Sequence, residues 1–587
     1  MQVVRQNLEA AARSLEAGRA SLRDPGPTGA EGEFRAASSL VAQALEALDR
    51  PILAVLTRSP WLEGDVASVR ALADVVDLLA RAGGIAARIV GERGDVEGGA
   101  FFTRGRFRFD ELDRLLGDLH AIEALVGEAQ GQLRDLPHPT LGTVQAAVTT
   151  ARRIVDQAAA ELRRTALLGE TLPELLGRDR PRHYLLIFQS PSEARGGGGL
   201  MGLFGVVTIS KGEVRLDNVA SYAALGDNDR VAAPGWFRRY YGPFLSDRQW
   251  TQANMSLHFP TTARVVLAMY RSTRGRVLDG VIAVDPVALR SVLPAFDESL
   301  PAGPGQDPIT ADDVAVRLMH DSYVDFEDPR DQDAFLITLV KAFFERLRNG
   351  AFNARSLAAG LRSAIDAQHL KMYVVDPGPR AVLRDHGVLG DFTAQGPNVQ
   401  AVFHNNVGTN KVDFFLHEKV QVDVTIQEDG SAHVETKVSF SNAAPPSPPS
   451  LLLGPARGFG SDPPGTNRMY ANIVLPKGAV PSDDRRLDAM TVEAEVDRIR
   501  LWKSLTLGPG EVASISVGYD LPEAVDLGGD TASFEMTLFP QGLATPAEFE
   551  FQLTAPHDRL PSMSYNGRFY RAGSLDVPVT IDVSFAN

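Results

Sequence analysis

The chain has 587 residues, 44% hydrophobic and 23% charged, the composition of ordinary globular protein with length for about three to five domains. Its formal net charge of −15 argues against a general nucleic-acid binder, because phosphate binding needs clustered Lys and Arg. The absence of cysteine removes disulfides, thiolate nucleophiles and Cys-ligated zinc, and no run of about 18 apolar residues is present to span a bilayer. Residues 1–7 lack the apolar stretch of a signal peptide. The expectation is therefore either cytoplasmic residence or an anchor that precedes this sequence.

Residues 1–170 are expected to form a helical bundle or stalk. Leu8, Leu15 and Leu22 recur every seven residues. So do Leu141, Val148, Val155 and Leu162, with Val144, Ala151 and Ala158 in the other seam position. A helix over 66–90 puts Val69, Leu72, Val75, Val76 and Leu79 on one stripe, and another groups Leu112, Leu115, Leu116, Leu119 and Ile122. Breaks are expected at Pro25-Gly26-Pro27, Pro60 and Pro137-His138-Pro139, with a loop over 94–105.

Beyond residue 178 the pattern changes. Short apolar runs at 183–189, 201–210, 213–219, 281–284 and 372–375 read as strands. They alternate with amphipathic helices over 261–270, 334–347 and 354–368. Thr310-Ala311-Asp312-Asp313 reads as the cap of a helix running to His320. That mixture fits a central α/β domain over 178–416. From 417 to 587 alternating strands dominate. Val420, Val422, Val424 and Ile426 share one face and Asp429-Gly430 makes a hairpin, as in a β-sandwich. The expected fold class is a multidomain α+β chain of these three parts.

The most informative segment is Glu193-Ala194-Arg195 followed by Gly196–Gly199, which reads as strand, open loop, strand. Glycines admit close approach of a ligand, and an arginine offers a planar fork to an anion. Gly197, Gly198, Gly199 and Lys411 are candidates for anion binding. The formal match of Gly197-x-Gly199-x-x-Gly202 to a dinucleotide fingerprint fails, because these glycines open a strand and not a helix. Arg330, in Asp328-Pro329-Arg330-Asp331-Gln332-Asp333, would complete a phosphate clamp with Arg195 if Arg330 and Gln332 face the same pocket. The alternative is an acidic first helical turn. Asp279 and Asp285 flank a buried strand, where a carboxylate either holds Mg2+ or acts as a base; for Asp285, capping the next helix is the favoured reading. The scattered histidines give catalytic zinc no support, and no Gly-x-Ser-x-Gly elbow exists.

Tyr184-Leu185-Leu186-Ile187-Phe188-Gln189, Glu193-x-Arg195 and the glycines resemble the DUF4012 family. So do Leu278–Pro286, Ile309–Val314 with Arg330 downstream, and Asn410-Lys411-Val412-Asp413. The resemblance implies a bacterial envelope protein with an N-terminal membrane anchor outside this chain, and an extracytoplasmic location. The order of elements is also similar, more weakly, to the LytR-CpsA-Psr enzymes, which transfer glycan from polyprenyl diphosphate to the cell wall. That likeness implies a lipid-linked glycan held by Arg195 and Arg330, with Glu193 or Asp279 holding Mg2+, no nucleotide cofactor, and phosphotransferase activity. The chain departs from the transferases at Asn218–Tyr222, where a Ser-x-Pro-Arg-Asp strand end would stand. Its loss favours an alternative: a non-catalytic surface, assembly or glycan-binding protein with a pseudo-enzyme domain. A glycoside hydrolase is the third reading, and would need two carboxylates about 5–10 Å apart in one cleft.

Overall fold

The computed structural model describes residues 2–23, 28–49, 63–93, 101–103, 105–136, 139–296, 299–302, 307–326, 328–350, 352–447, 450–455, 461–482, 490–526, 532–556 and 568–585. The chain divides into two compact units. One comprises Met1–Arg180 with Gly350–Arg355, the other Pro181–Asn349 with Ser356–Asn587.

The first unit holds helices α1 (Gln2–Arg23), α2 (Thr28–Leu48), α3 (Glu63–Arg93), α4 (Phe109–Arg134) and α5 (Gly142–Leu175). A short hairpin, β1 (Phe102–Thr103) and β2 (Arg106–Phe107), stands where a loop was expected. Ala11, Ala37, Val41, Ala73 and Ala80 are buried together, with Leu8, Leu15 and Val76 against them. Small side chains at the seam let these helices approach closely. Val75, Leu78 and Ala82 pack on Ile122, Val126, Leu133 and Val155. Leu141, one of the heptad positions, is instead 47% exposed, because it lies just outside the first turn of α5. Asp65 accepts from the N–H groups of Thr140 (3.0 Å) and Leu141 (2.9 Å), tying the start of α3 to the start of α5. The expected breaks at Pro25-Gly26-Pro27 and Pro60, and Pro137-His138, lie outside the described residues. Among the described residues no helix is long and apolar enough to cross a membrane.

The second unit opens with β3 (Arg182–Arg195), β4 (Gly198–Ser210), β5 (Glu213–Ser221), β6 (Gly280–Val284) and β7 (Leu370–Val374), in sheet order β5-β4-β3-β6-β7. β3 and β6 run parallel; the other pairs are antiparallel. The helix Phe259–Arg274 buries Val265, Val266 and Met269. Asp285 caps the helix Pro286–Val292, accepting from the N–H groups of Val287 and Ala288.

The remaining strands are β8 (Val399–Asn406), β9 (Leu416–Ile426), β10 (Ala432–Asn442), β11 (Asn467–Val474), β12 (Val480–Pro481), β13 (Thr491–Glu495) and β14 (Arg498–Leu507). They continue as β15 (Val512–Leu521), β16 (Val525–Asp526), β17 (Ala532–Phe539), β18 (Ala547–Thr554), β19 (Arg568–Leu575) and β20 (Val579–Phe585). One sheet has the order β12-β15-β10-β9-β18-β19. The other runs β13-β14-β11-β8-β17-β16, with β20 also on β17. They share an apolar core in which Val420, Val422 and Val424 meet Met469, Ile473, Phe534 and Met536.

These sheets begin before residue 417. All eight residues of β8 are buried, because both of its faces are covered. Val402 enters the core between the two sheets, whereas Val399, Ala401 and Phe403 pack with Leu257 and Phe392 of the preceding region. The expected boundary at 416/417 therefore falls inside one compact unit.

Candidate functional site

The end of β3 is built by an irregularity. Ser190 pairs with Leu200 and Ala194 with Gly199, so Pro191, Ser192 and Glu193 bulge out of the ladder. Proline suits a bulge, having no N–H to give to a ladder. The glycines that follow are buried in a tight reversal, not an open loop. A Cβ on Gly197 would lie 1.8 Å from Asn254 Oδ1, and one on Gly199 would lie 2.2 Å from the Ser190 carbonyl oxygen. Their backbone donors are also committed. Gly196 N–H donates to Asn405 Oδ1 (2.8 Å) and Gly197 N–H to the Asn254 carbonyl (3.1 Å). Where Gly197, Gly198 and Gly199 were expected to cradle a ligand, neighbouring protein atoms fill the space: Asn254 at Gly197, the Gln189 side chain at Gly198 and the Ser190 backbone at Gly199.

Arg195 is 1% exposed. Its Nη2 donates to Glu193 Oε1 (2.9 Å), and its Nη1 to the carbonyl oxygens of Asn406 and Ala194. The other Glu193 oxygen accepts from Lys411 Nζ, which also sits 5.3 Å from the centre of the Tyr323 ring. Burial pushes the Glu193 carboxyl up, but Lys411 and then Arg195 outweigh it and hold it below the usual range. Burial likewise pushes Lys411 down, and Glu193 reverses this and raises it. The motif is an ion triad, Lys411–Glu193–Arg195, locked inside the fold.

A second carboxylate–histidine group adjoins it. Asp413 accepts from Ala194 N–H (2.7 Å) and from Asn467 Nδ2 (2.6 Å). His404 lies 3.1 Å from Glu418 through Nδ1 and 3.7 Å from Asp413 through Nε2. Burial lowers His404, but its hydrogen bond to Glu418 and the charges of Asp413 and Glu418 prevail and raise it. Gln541 joins the two groups. Its Nε2 donates to the carbonyls of Arg195 (3.0 Å) and His404 (2.9 Å), and its Oε1 accepts from His404 N–H (2.8 Å). Sequence reasoning missed His404, Glu418 and Gln541, and named Asp413 only within the motif Asn410–Asp413, without a role. The one local signal was the polar His404-Asn405-Asn406 ending of an apolar strand.

The other candidates lie elsewhere. The Arg330 side chain is 88% exposed and folds back on Asp328 (2.5 Å), while Gln332 turns inward to Ser322 (3.2 Å). Arg330 and Gln332 thus point apart, and no clamp with Arg195 forms. Asp279 accepts from His183 N–H (2.7 Å) at the start of β3. Arg182, which binds Asp376 at 2.5 Å, stands 3.4 Å from it. Glu193 is at the far end of β3. Nine steps along the facing strand, Thr208 to Gly199, separate the two carboxylates by roughly 30 Å. Glu193 and Asp279 cannot share an ion, and each is already filled by protein donors. This donor set does not fit Mg2+, which needs several oxygen ligands around one centre.

A different feature lies on the outer face of the β9–β18–β19 ladder. A groove of about 360 Å3 is walled by Lys419, Glu548 and Glu550 and floored by the short side chains Ala572, Gly573 and Ser574. Glu548 stands opposite Ser574 and Glu550 opposite Ala572, so long side chains face short ones and leave the depression. Glu550 accepts from Lys419 Nζ (2.7 Å) and Gln421 Nε2 (2.8 Å), which hold its carboxyl below the usual range. Tyr570, opposite Gln552 on the same face, is 61% exposed.

Residues 179–323 match the family model described as protein of unknown function, DUF4012. The match takes in the β3–β6 strands, Glu193, Arg195 and the glycines, and ends at Tyr323 beside Lys411. No curated protein matches the chain.

Proposed function

We propose that this chain is a non-catalytic extracytoplasmic component of the bacterial envelope, a surface or assembly protein that engages glycan through its C-terminal sheets. The observation that carries the non-catalytic part is the fate of Arg195. The guanidinium at the centre of the family motif is 1% exposed, with both terminal nitrogens turned onto Glu193 and the carbonyls of Asn406 and Ala194 and away from solvent. Envelope location rests on the resemblance to DUF4012. Glycan binding rests on the groove beside Tyr570: polar side chains fixed in advance by hydrogen bonds, next to an aromatic ring on which a sugar can stack.

A second reading, binding of a lipid-linked polyprenyl diphosphate glycan as in the LytR-CpsA-Psr enzymes, keeps one observation in its favour. Lys411 is 11% exposed at its side chain and lies against Tyr323. Hydrolysis of glycosidic bonds is supported less. Glu548 and Glu550 share one face at about 7 Å, within the span a hydrolase needs, but Lys419 and Gln421 hold the Glu550 carboxyl below the usual range, the reverse of what a general acid requires.

The experiment is a pair of binding measurements on the intact chain: neutral and amino-sugar oligosaccharides on one side, polyprenyl diphosphate with and without Mg2+ on the other. The expected result is oligosaccharide binding lost in Tyr570→Ala, with no retention of the diphosphate. Tight diphosphate binding lost in Tyr323→Ala, beside Lys411, would transfer the conclusion to the second reading.

A further inference from the structure

Three buried carboxylates, Glu193, Asp413 and Glu418, share one polar interior with two permanent cations, Arg195 and Lys411. Their side chains are 11% exposed or less. An uncompensated charge in such a place is costly, so the interior needs one more positive charge. Glu193 has a cation on each oxygen, which holds its carboxyl below the usual range, and Asp413 has an N–H donor on each oxygen. Among the described residues that touch these carboxylates, His404 is the remaining group that can supply the third cation. The groups around it agree. From β9 it meets Glu418, and from the turn Val412–Phe415 it meets Asp413. From β10 it meets only the uncharged ring of Phe440, and beyond β17 only the neutral carboxamide of Gln541. Arg195 and Glu193 of β3 lie on the far side of Gln541, already paired with each other.

We propose that His404 is carried in the fold as the imidazolium, completing a charge-balanced latch that fastens the end of β3 to β8 and β9 and loosens when that proton is lost. Beside the Gly196–Asn405 bond and the Gln541 bridge, charged contacts tie the three elements together here. Ala194 is held by Asp413, the Arg195 guanidinium by Asn406 of β8, and Asp413 is followed directly by β9. Losing the proton leaves three negative charges facing two positive ones, so Asp413, which holds Ala194 N–H, and Glu418 repel each other across a neutral ring. The latch is therefore closed in acid to neutral solution and weakened in alkali.

The sign follows from linkage. A histidine whose folded-state affinity for the proton is raised adds stability that is complete below the unfolded value, about 6.5. That stability is lost as pH rises through the folded value. Denaturant unfolding of the full chain, followed from pH 6 to 9.5 for the native protein and for His404→Gln, reads this directly. The ratio of the two unfolding constants should change by up to tenfold per pH unit within that window. Lys371, held at about 8 chiefly by burial, titrates in both proteins, so their difference isolates His404.

If His404→Gln does not fold, Glu418→Gln replaces it. That variant removes one carboxylate, balances a neutral His404, and should flatten the same slope. Selective 15N-histidine spectra, with His404 assigned by the signal absent from His404→Gln or displaced in Glu418→Gln, should show imidazolium signals at pH 7.5. Equal slopes in native and variant proteins, or neutral imidazole signals from His404 at pH 7.5, would overturn the proposal.

Discussion

Glu193-Ala194-Arg195 and Asp328-Pro329-Arg330 have the same acid-x-arginine spacing in two different settings. The first pair is 6% and 1% exposed at its side chains, the second 36% and 88%. In the first, each group has further partners from distant strands: Lys411, Asn406 and, through the backbone, Gln541. In the second, among the described residues, Arg330 hydrogen-bonds to Asp328 alone. The comparison teaches that an acid–arginine pair carries no meaning of its own. Water screens the exposed pair until it is worth little, whereas the interior makes the buried one indispensable once formed. Burial also reverses the functional sense of Arg195, from an anion receptor to a fastener.

Removing Arg195 should have the largest effect. Arg195→Ala leaves Glu193 and Lys411 in a gap and the Asn406 carbonyl without its donor, and should cost about 3–5 kcal/mol, measured by denaturant unfolding. A near-native midpoint would place Arg195 outside the fold's essential contacts and return it to the pool of ligand-binding residues. Next comes the reversal that presents the motif. Gly199→Ala drives a Cβ into the Ser190 carbonyl and should cost at least about 1–3 kcal/mol, while Gly202→Ala, which meets open space, should be tolerated. Equal tolerance of both would mean that the hairpin can relax.

The smallest effect belongs to the exposed pair. Arg330→Ala should leave the unfolding midpoint unchanged within error. It should still move the Asp328 carboxyl, held at about 2 chiefly by its side-chain hydrogen bond to Arg330, back toward the ordinary 3.8. Because that carboxyl is depressed in the fold, its contribution exists above about 3.9 and fades as pH falls toward 2. Titration of Asp328 by carboxyl NMR reads the shift. A large stability loss on removing Arg330 would end the contrast between the two pairs.

Local pattern made much of the fold legible. Heptads located α1 and α5, the stripe at Val69–Leu79 located α3, and the apolar run from His183 located β3. Asp285-Pro286 announced its cap, and Asp429-Gly430 its turn between β9 and β10. β8 escaped because burial on both faces erases the alternation that marks a strand. The interior role of Glu193-x-Arg195 escaped for a different reason. Its partners stand more than 200 positions away, at Asn406 and Lys411, and neither spacing nor composition encodes such a meeting. The glycines gave a true signal, close approach, but could not say whether a ligand or the protein itself would approach.

Gln541 carries a consequence for how the protein is made. Its carboxamide closes on the Arg195 carbonyl across 346 residues of chain. At ribosomal speeds of about 5–20 residues per second, the end of β3 emerges roughly 20–70 s before the residue that seals it. For that interval the nascent strand carries a glutamate, an arginine and four glycines with no interior to enter, a stretch in which proteases and chaperones can reach it before the last strands arrive.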